Sequence, residues 1–206
     1  MPAKEHWNRL YTKKPAAAVG WFQEHAGRSL RLIRDSGVTT AAPLIDVGGG
    51  ASTLVDDLIE LGYSAITVLD AAAAALAAAQ ERLGPRASRV QWLEADITTV
   101  VLPELAYELW HDRAVVHFLT APEQRAAYVR QMIRALRPAG HVIVATFAQD
   151  GPTHCSGLPV VRYSAPQLAA AFGESFKLLG YENEEHRTPS GTLQQFLYCR
   201  FRKSAG

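Results

Sequence analysis

The sequence predicts an α/β fold, a largely parallel sheet with helices packed on it, from three observations. Short apolar runs alternate with helix-patterned segments along most of the 206 residues, the signature of successive βαβ units. One run, Pro43–Val47, passes straight into Gly48-Gly49-Gly50 and then a helical pattern, the strand–turn–helix that opens such a sheet. Near the end, two strand-like runs flank Pro189-Ser190-Gly191, a tight-turn sequence that predicts an antiparallel hairpin.

In chain order, residues 4–14 read as a short polar or helical lead-in. Residues 15–36 read as one helix, containing Trp21-Phe22 and stopped by Gly37. The first strand, 43–47, is followed by a helix over 53–61, with Ser52 or Thr53 placed to cap it and Gly62 ending it. A second strand over 65–69 closes on Asp70. The alanine-rich stretch 71–83 resembles a low-complexity linker, but Leu76 and Leu83 fall on one helical face and predict a packed helix. A third strand, 90–94, leads to Asp96, and a fourth spans about 107–111. A helix over about 122–136 begins with Pro122 and Glu123, both favourable in a first turn. Leu136-Arg-Pro-Ala-Gly140 reads as a turn into a fifth strand, 141–146. Residues 148–163, rich in Gly, Pro and Ser, are long for a plain connection and so mark a functional loop. A capped helix from Ser164 to Phe172 precedes the hairpin strands, about 176–184 and 193–201.

Composition excludes several classes. With 48% apolar residues and no internal repeat, the expectation is one domain over 1–206 with a sizeable core. A formal charge of +1 gives no electrostatic reason to expect nucleic acid. No apolar run approaches the roughly 20 residues needed to cross a bilayer, so no membrane association is expected. The first residues lack a secretory signal pattern. Cys155 and Cys199 make no disulfide framework or metal pattern, so a reducing cytoplasm and no metal are expected, with the chain a monomer or homodimer.

Asp46, Asp70, Asp96 and Asp112 fall at or just past the carboxyl ends of strands one to four, the edge along which open α/β sheets bind ligands. Asp70 lies 20 residues after Gly50, where a carboxylate can accept hydrogen bonds from ribose hydroxyls. A nicotinamide dinucleotide would satisfy the same spacing. Its fingerprint, however, wants a third glycine at position 53, which is Thr.

Asp46-Val-Gly48-Gly49-Gly50-Ala-Ser52 resembles the first motif of class I S-adenosylmethionine-dependent methyltransferases, with Ser52 where that family usually has glycine. Asp70, followed by Ala71, matches the family's ribose-binding acid. Glu94-Ala-Asp96-Ile97 is similar to its third motif, in which the acid bonds the adenine amino group and the apolar residue lies against the ring. The run from Tyr107 through His111 resembles its fourth strand, whose end lies beside the amino-acid part of the cofactor. Leu136-Arg-Pro-Ala-Gly140 resembles its turn before strand five, with Ala139 replacing a glycine. The resemblance implies a Rossmann-like three-layer sandwich, a mostly parallel seven-stranded sheet with the last strand antiparallel. It also implies that S-adenosylmethionine is the cofactor and S-adenosylhomocysteine the product. Residues 6–22 are similar to the lead-in of a branch that includes protein-lysine methyltransferases, which implies that 1–36 folds over the cofactor as a lid.

Methyl transfer is an in-line displacement, so positioning can supply much of the catalysis and a base is needed only if the acceptor must lose a proton. The acceptor-side candidates are Asp112, to orient or deprotonate, Arg113, to bind an anion or pair with Asp112, and His154 of the loop, as a base. Trp21, His117, Arg162 and Tyr163 are candidates to shape the acceptor site, His117 being equally readable as a core residue. The expected acceptor is a small molecule, with a protein lysine the alternative. A non-catalytic binder that keeps the cofactor pocket as scaffold and a nicotinamide- or nucleotide-binding protein are the other classes.

Overall fold

The computed structural model describes residues 2–13 and 15–205; Met1, Lys14 and Gly206, at the ends of the expected domain and lead-in, lie outside them. The elements are α1 (Pro2–Lys13), α2 (Gly27–Asp35), β1 (Leu44–Val47), α3 (Leu54–Glu60), β2 (Ile66–Asp70), α4 (Ala73–Leu83), β3 (Val90–Glu94), β4 (Tyr107–Arg113), α5 (Pro122–Ala135), β5 (Leu136–Phe147), β6 (His154–Cys155), β7 (Leu158–Pro159), α6 (Ala165–Phe172), β8 (Phe176–Arg187) and β9 (Leu193–Lys203). Seven strands form one sheet in the order β3-β2-β1-β4-β5-β9-β8. The first five run parallel, and β9 lies antiparallel between β5 and β8. This is the predicted three-layer, Rossmann-like arrangement. Among the described residues no helix is long and apolar enough to cross a membrane.

Burial follows from the topology. Central β1 is covered on both faces and every residue of it is buried, as parallel strands require. On one face Tyr128, Met132, Leu168 and Phe172 of α5 and α6 pack with Trp110, Val142 and Val144. On the other, Ile33, Leu58 and Leu76 of α2, α3 and α4 pack with Leu44, Val68, Leu109 and Ile143. Leu76 and Leu83 are both buried, so the alanine-rich stretch is a packed helix. Ser164 caps α6 with a reciprocal capping box to Gln167.

Three expectations need correction. Residues 15–36 are not one helix: a 3-10 turn at Ala16–Ala18 gives way to irregular backbone, and α2 begins only at Gly27. Tertiary bonds hold the break open, since Thr53 Oγ1 donates to the Gln23 carbonyl (2.9 Å) and the Ala26 N–H donates to Asp57 Oδ2 (3.2 Å). Second, residues 136–140 are not a turn before β5 but its first part. The pairing slips between Tyr107–Leu136 and Leu109–His141, and Ala139 takes φ 57°. That left-handed conformation favours glycine. Third, β4 continues past His111 to Arg113, which decides the fate of the acidic residue inside it.

Candidate active site

The site begins where β1 stops. The Gly48 N–H donates to the Leu69 carbonyl at 2.7 Å, turning the chain away from the sheet at φ 70°. Glycine is required here by the protein's own atoms. A Cβ on Gly48 would collide with the Val115 side chain, one on Gly49 with the Asp46 carboxylate, and one on Gly50 with the Asp70 carboxylate. The backbone therefore runs between two acids with no space between them. Of the two proposed caps of α3, Ser52 Oγ accepts the Leu54 N–H (3.2 Å), while the Thr53 hydroxyl is spent on Gln23.

Asp70 ends β2 on the neighbouring strand. Its Oδ1 accepts the Ala72 N–H at 2.8 Å. Burial pushes its carboxyl up to about 7, helped by nearby Asp46 and opposed by the backbone N–H groups of Ala72 and Ala71. Asp96 past β3 accepts both the N–H (2.8 Å) and the hydroxyl (2.6 Å) of Thr98 on Oδ1. Asp46 Oδ1 lies 2.6 Å from His111 Nδ1, and His111 Nε2 lies 2.9 Å from Ser29 Oγ, all three buried.

These residues surround one cavity of about 370 Å³, at the small end of the roughly 300–1,000 Å³ typical of ligand clefts. Of the predicted cofactor residues, Asp46, Gly48, Gly49, Asp70, Ala71, Asp96, Ile97 and His111 line it; Gly50 does not, being packed against Asp70. Of the acceptor-side candidates, Trp21 and Arg113 line it. Arg113 donates from Nε to the Tyr198 hydroxyl and from Nη1 to the Trp21 carbonyl, both at 3.0 Å, above the ring of Phe196.

The other candidates are elsewhere, for reasons of strand alternation and burial. Successive side chains on a strand point to opposite faces. His111 and Arg113 therefore share the cavity face, and Asp112 points into the opposite core. There its carboxylate accepts from Tyr128 OH (2.6 Å), Val115 N–H (2.8 Å) and Val116 N–H (3.1 Å), and Tyr128 OH in turn accepts Trp110 Nε1–H. Burial raises this carboxyl to about 6, against those bonds. Asp112 is thus a frame residue and has no path to an acceptor. His117 is fully buried against Phe118 and Phe147, and burial followed by Arg113 lowers it to about 3. On the two-residue strand β6, His154 is exposed and Cys155 lines the cavity. The Cys155 thiol is raised to about 11 by burial, so it is not a thiolate at neutral pH. Arg162 donates to the Gly151 carbonyl, and Tyr163 packs in the core with its hydroxyl unpartnered.

Trp7, Tyr11, Phe22 and Phe118, which sequence reasoning did not single out as site residues, also line it. Trp7 meets Trp21 and Phe118 edge-on at 5.7 and 5.0 Å, and Tyr11 meets Trp21 at 6.2 Å. Helix α1 is seated by Asn8, whose Oδ1 accepts the Ala74 N–H (3.1 Å), and by a Lys4–Glu94 ion pair (2.6 Å). The i, i+4 spacing of Trp7 and Tyr11 on a short amphipathic helix was the available signal.

A family model described as a methyltransferase domain matches residues 44–140, from β1 to the bulge in β5. Among curated proteins, a Drosophila melanogaster "eEF1A lysine and N-terminal methyltransferase homolog" is 22% identical over 152 residues, 71% of this chain and 22% of its own length. The chain spans about a fifth of the curated relatives it matches. Among solved structures, one described as the conversion of a disulfide bond into a thioacetal group during echinomycin biosynthesis has a TM-score of 0.79 at 19% identity, with 99% of this chain and 93% of that chain covered. The 1,6-didemethyltoxoflavin-N1-methyltransferase of Burkholderia thailandensis, with bound 1,6-didemethyltoxoflavin and S-adenosylhomocysteine, has a TM-score of 0.68 at 18% identity, covering 98% of this chain and 84% of that one. The match to a methyltransferase-domain model, the strand order and the cavity agree with one another and support a class I S-adenosylmethionine-dependent methyltransferase.

Proposed function

We propose that this protein methylates a small, flat, largely apolar acceptor carrying a neutral or anionic nucleophile. The observation that carries this reading is the division of charge around the cavity. Asp46, Asp70 and Asp96 lie along the cofactor side, whereas the far side offers Trp21, Phe118, Cys155 and the guanidinium of Arg113. A protonated amine arriving there would meet the Arg113 guanidinium, whose Glu184 partner (3.8 Å) lies behind it and outside the lining; a neutral or anionic nucleophile on an aromatic scaffold would not be repelled.

S-adenosylmethionine supplies a methyl group already activated on a sulfonium. The residues fit it: Asp70 lines the cavity with a carboxylate that can accept ribose hydroxyls, Asp96 and Ile97 stand where adenine would sit, and the Gly48–Gly49 backbone leaves room beside Asp46 and His111 for the amino-acid end. Trp7, Tyr11 and Trp21 exclude water, and Arg113 fixes Trp21 through its carbonyl. Catalysis on this reading is alignment in a dry site, with no general base among the lining residues free to act. Helix α1 and the stretch 15–25 serve as the lid, while α2 packs in the core, and the loop 148–163 contributes Cys155.

A protein side chain is the second reading, favoured by one observation: the Trp7–Trp21–Phe118 aromatic slot could also receive an alkylated amine. The curated relatives named as lysine and N-terminal methyltransferases point the same way. The net charge of +1 and two unpaired cysteines support action in the cytoplasm, as a monomer or homodimer, without nucleic acid or membrane. The test is methyl transfer from labelled cofactor to a lysate split into metabolite and protein fractions. Label in the metabolites is expected. Label confined to protein would establish the second reading, and none in either fraction, despite cofactor binding, would make the chain a non-catalytic binder.

A further inference from the structure

We propose that Arg82 is a positioning residue for the cofactor, a fork reaching from the last turn of α4 that holds the loop between Gly50 and α3 in its binding shape. The inference rests on the cofactor reading above. After Gly50 the chain passes through Ala51, Ser52 and Thr53, all of which line the cavity, before α3 starts at Leu54. Two local bonds shape this loop: the Ser52 N–H donates to the Gly49 carbonyl (2.7 Å) and the Leu54 N–H to the Ser52 hydroxyl (3.2 Å). From outside, Arg82 Nη1 donates to the Ala51 carbonyl at 3.0 Å and Nη2 to the Ser52 carbonyl at 2.7 Å. Asp56 of α3 takes the rest of the guanidinium, with its Oδ2 accepting from Nε at 3.1 Å and from Nη2 at 2.6 Å. Neither Arg82 nor Asp56 lines the cavity, so both act through the loop.

The geometry separates this fork from an ordinary surface ion pair. A guanidinium is planar and its N–H groups point in fixed directions. With one edge on Asp56 and the other donors on Ala51 and Ser52, the two carbonyls are held at a set place against the first turn of α3. In a planar peptide the C=O and N–H are opposed, so a carbonyl turned out to Arg82 turns the N–H of the next residue away from α4. The plane that carries the Ala51 carbonyl is also the one whose Ser52 N–H closes the turn on Gly49. Arg86, four residues on, supplies the contrast. It reaches the carboxylates of Glu60 (3.5 Å) and Asp56 (4.0 Å), and among the described residues it bonds no loop carbonyl. The Arg82 side chain is 30% exposed, so water can replace it and the fold as a whole depends little on the pair. What depends on it is the course of three cavity-lining residues.

The test compares wild type with Arg82→Met, Arg82→Lys, Asp56→Asn and, as a control, Arg86→Met, using S-adenosylhomocysteine as the probe. Arg82→Met keeps the apolar stem and loses every donor. It should weaken binding about 5- to 20-fold and raise the KM for the methyl donor more than it lowers kcat, with Tm within about 4 °C of wild type. Arg82→Lys, a point charge without the fork, should recover part of the loss, and Asp56→Asn should show a smaller loss than Arg82→Met. Arg86→Met should bind as wild type does. In ligand-free Arg82→Met the amides of Ser52 and Leu54 should exchange with solvent faster while those of β4 and β5 stay protected, and saturation with S-adenosylhomocysteine should slow them again. Full affinity in Arg82→Met, an equal loss in Arg86→Met, or exchange that quickens uniformly through the fold would overturn the proposal while leaving the methyltransferase reading intact. Wild-type protein that does not bind S-adenosylhomocysteine would overturn that reading instead, and the exchange comparison in the free protein would still decide whether Arg82 holds the loop. If Arg82→Met does not fold, Arg82→Lys and Asp56→Asn carry the same comparison.

Discussion

Replacing Asp70 with Asn should remove a pH dependence that the wild-type protein should show in two opposite directions. In the ligand-free fold the carboxyl is raised from its ordinary 3.8 to about 7, mainly by burial. A group whose folded value is raised contributes stability that is full below about pH 4 and lost as pH rises through 7. At about 1.36 kcal/mol per pKa unit this amounts to roughly 4 kcal/mol at most. Ligand binding has the opposite sign, because ribose hydroxyls donate to the carboxylate. Affinity for S-adenosylhomocysteine should therefore rise with pH, by about 30-fold between pH 5.5 and 8, and level off above 8. Asp70→Asn should bind at least about 10-fold more weakly at pH 8, the loss of one charge-assisted hydrogen bond. Its affinity should be nearly flat with pH, and its ligand-free form should be more stable than wild type at pH 8. Calorimetric titration across that range and thermal unfolding of the free protein supply both readings. His111, Asp46 and Tyr11 also face the cavity, so the comparison with Asn is what isolates Asp70. A wild-type affinity that does not change with pH, or a variant that keeps the wild-type slope, would refute the reasoning.

Three further outcomes follow from the packing. Tyr128→Phe strips Asp112 of one donor and Trp110 of its acceptor, so denaturant unfolding should show about 2–4 kcal/mol less stability while S-adenosylhomocysteine affinity stays within twofold; a large affinity loss with stability intact would return Asp112 to the site. Gly49→Ala forces a methyl into the Asp46 carboxylate and Val68 and should cost about 1–3 kcal/mol of stability, together with most of the cofactor affinity; wild-type calorimetric affinity would show that the turn has slack. Ala139→Gly relieves a left-handed alanine and should stabilise the fold by about 0.5–1 kcal/mol, read as a raised Tm at unchanged kcat/KM.

The sheet was legible because its strands are short apolar runs ended by glycine, aspartate or proline, and because the order of motifs fixed their neighbours. That Asp46, Asp70 and Asp96 would border one cavity was legible for the same reason, since they lie at or beside strand ends on the edge where open sheets bind. The acceptor side was not. Whether Asp112 or Arg113 faces the cavity depends on β4 continuing two residues past His111, and period-two alternation then separates the neighbours. The same alternation sends His154 outward and Cys155 inward on β6, so of the three catalytic candidates only Arg113 lines the cavity, while Asp112 and His154 do not. The break between residues 18 and 27 is set by bonds to Thr53 and Asp57, partners about 30 residues away that no local pattern announces.

The most direct test of the central claim is a crystal structure of the protein with S-adenosylhomocysteine. The account predicts the ribose hydroxyls on Asp70, the adenine beside Asp96 and Ile97, and the sulfur at the His111–Arg113 edge beneath Trp21. A ligand seated away from Asp70, or an adenine turned toward Arg113, would contradict it.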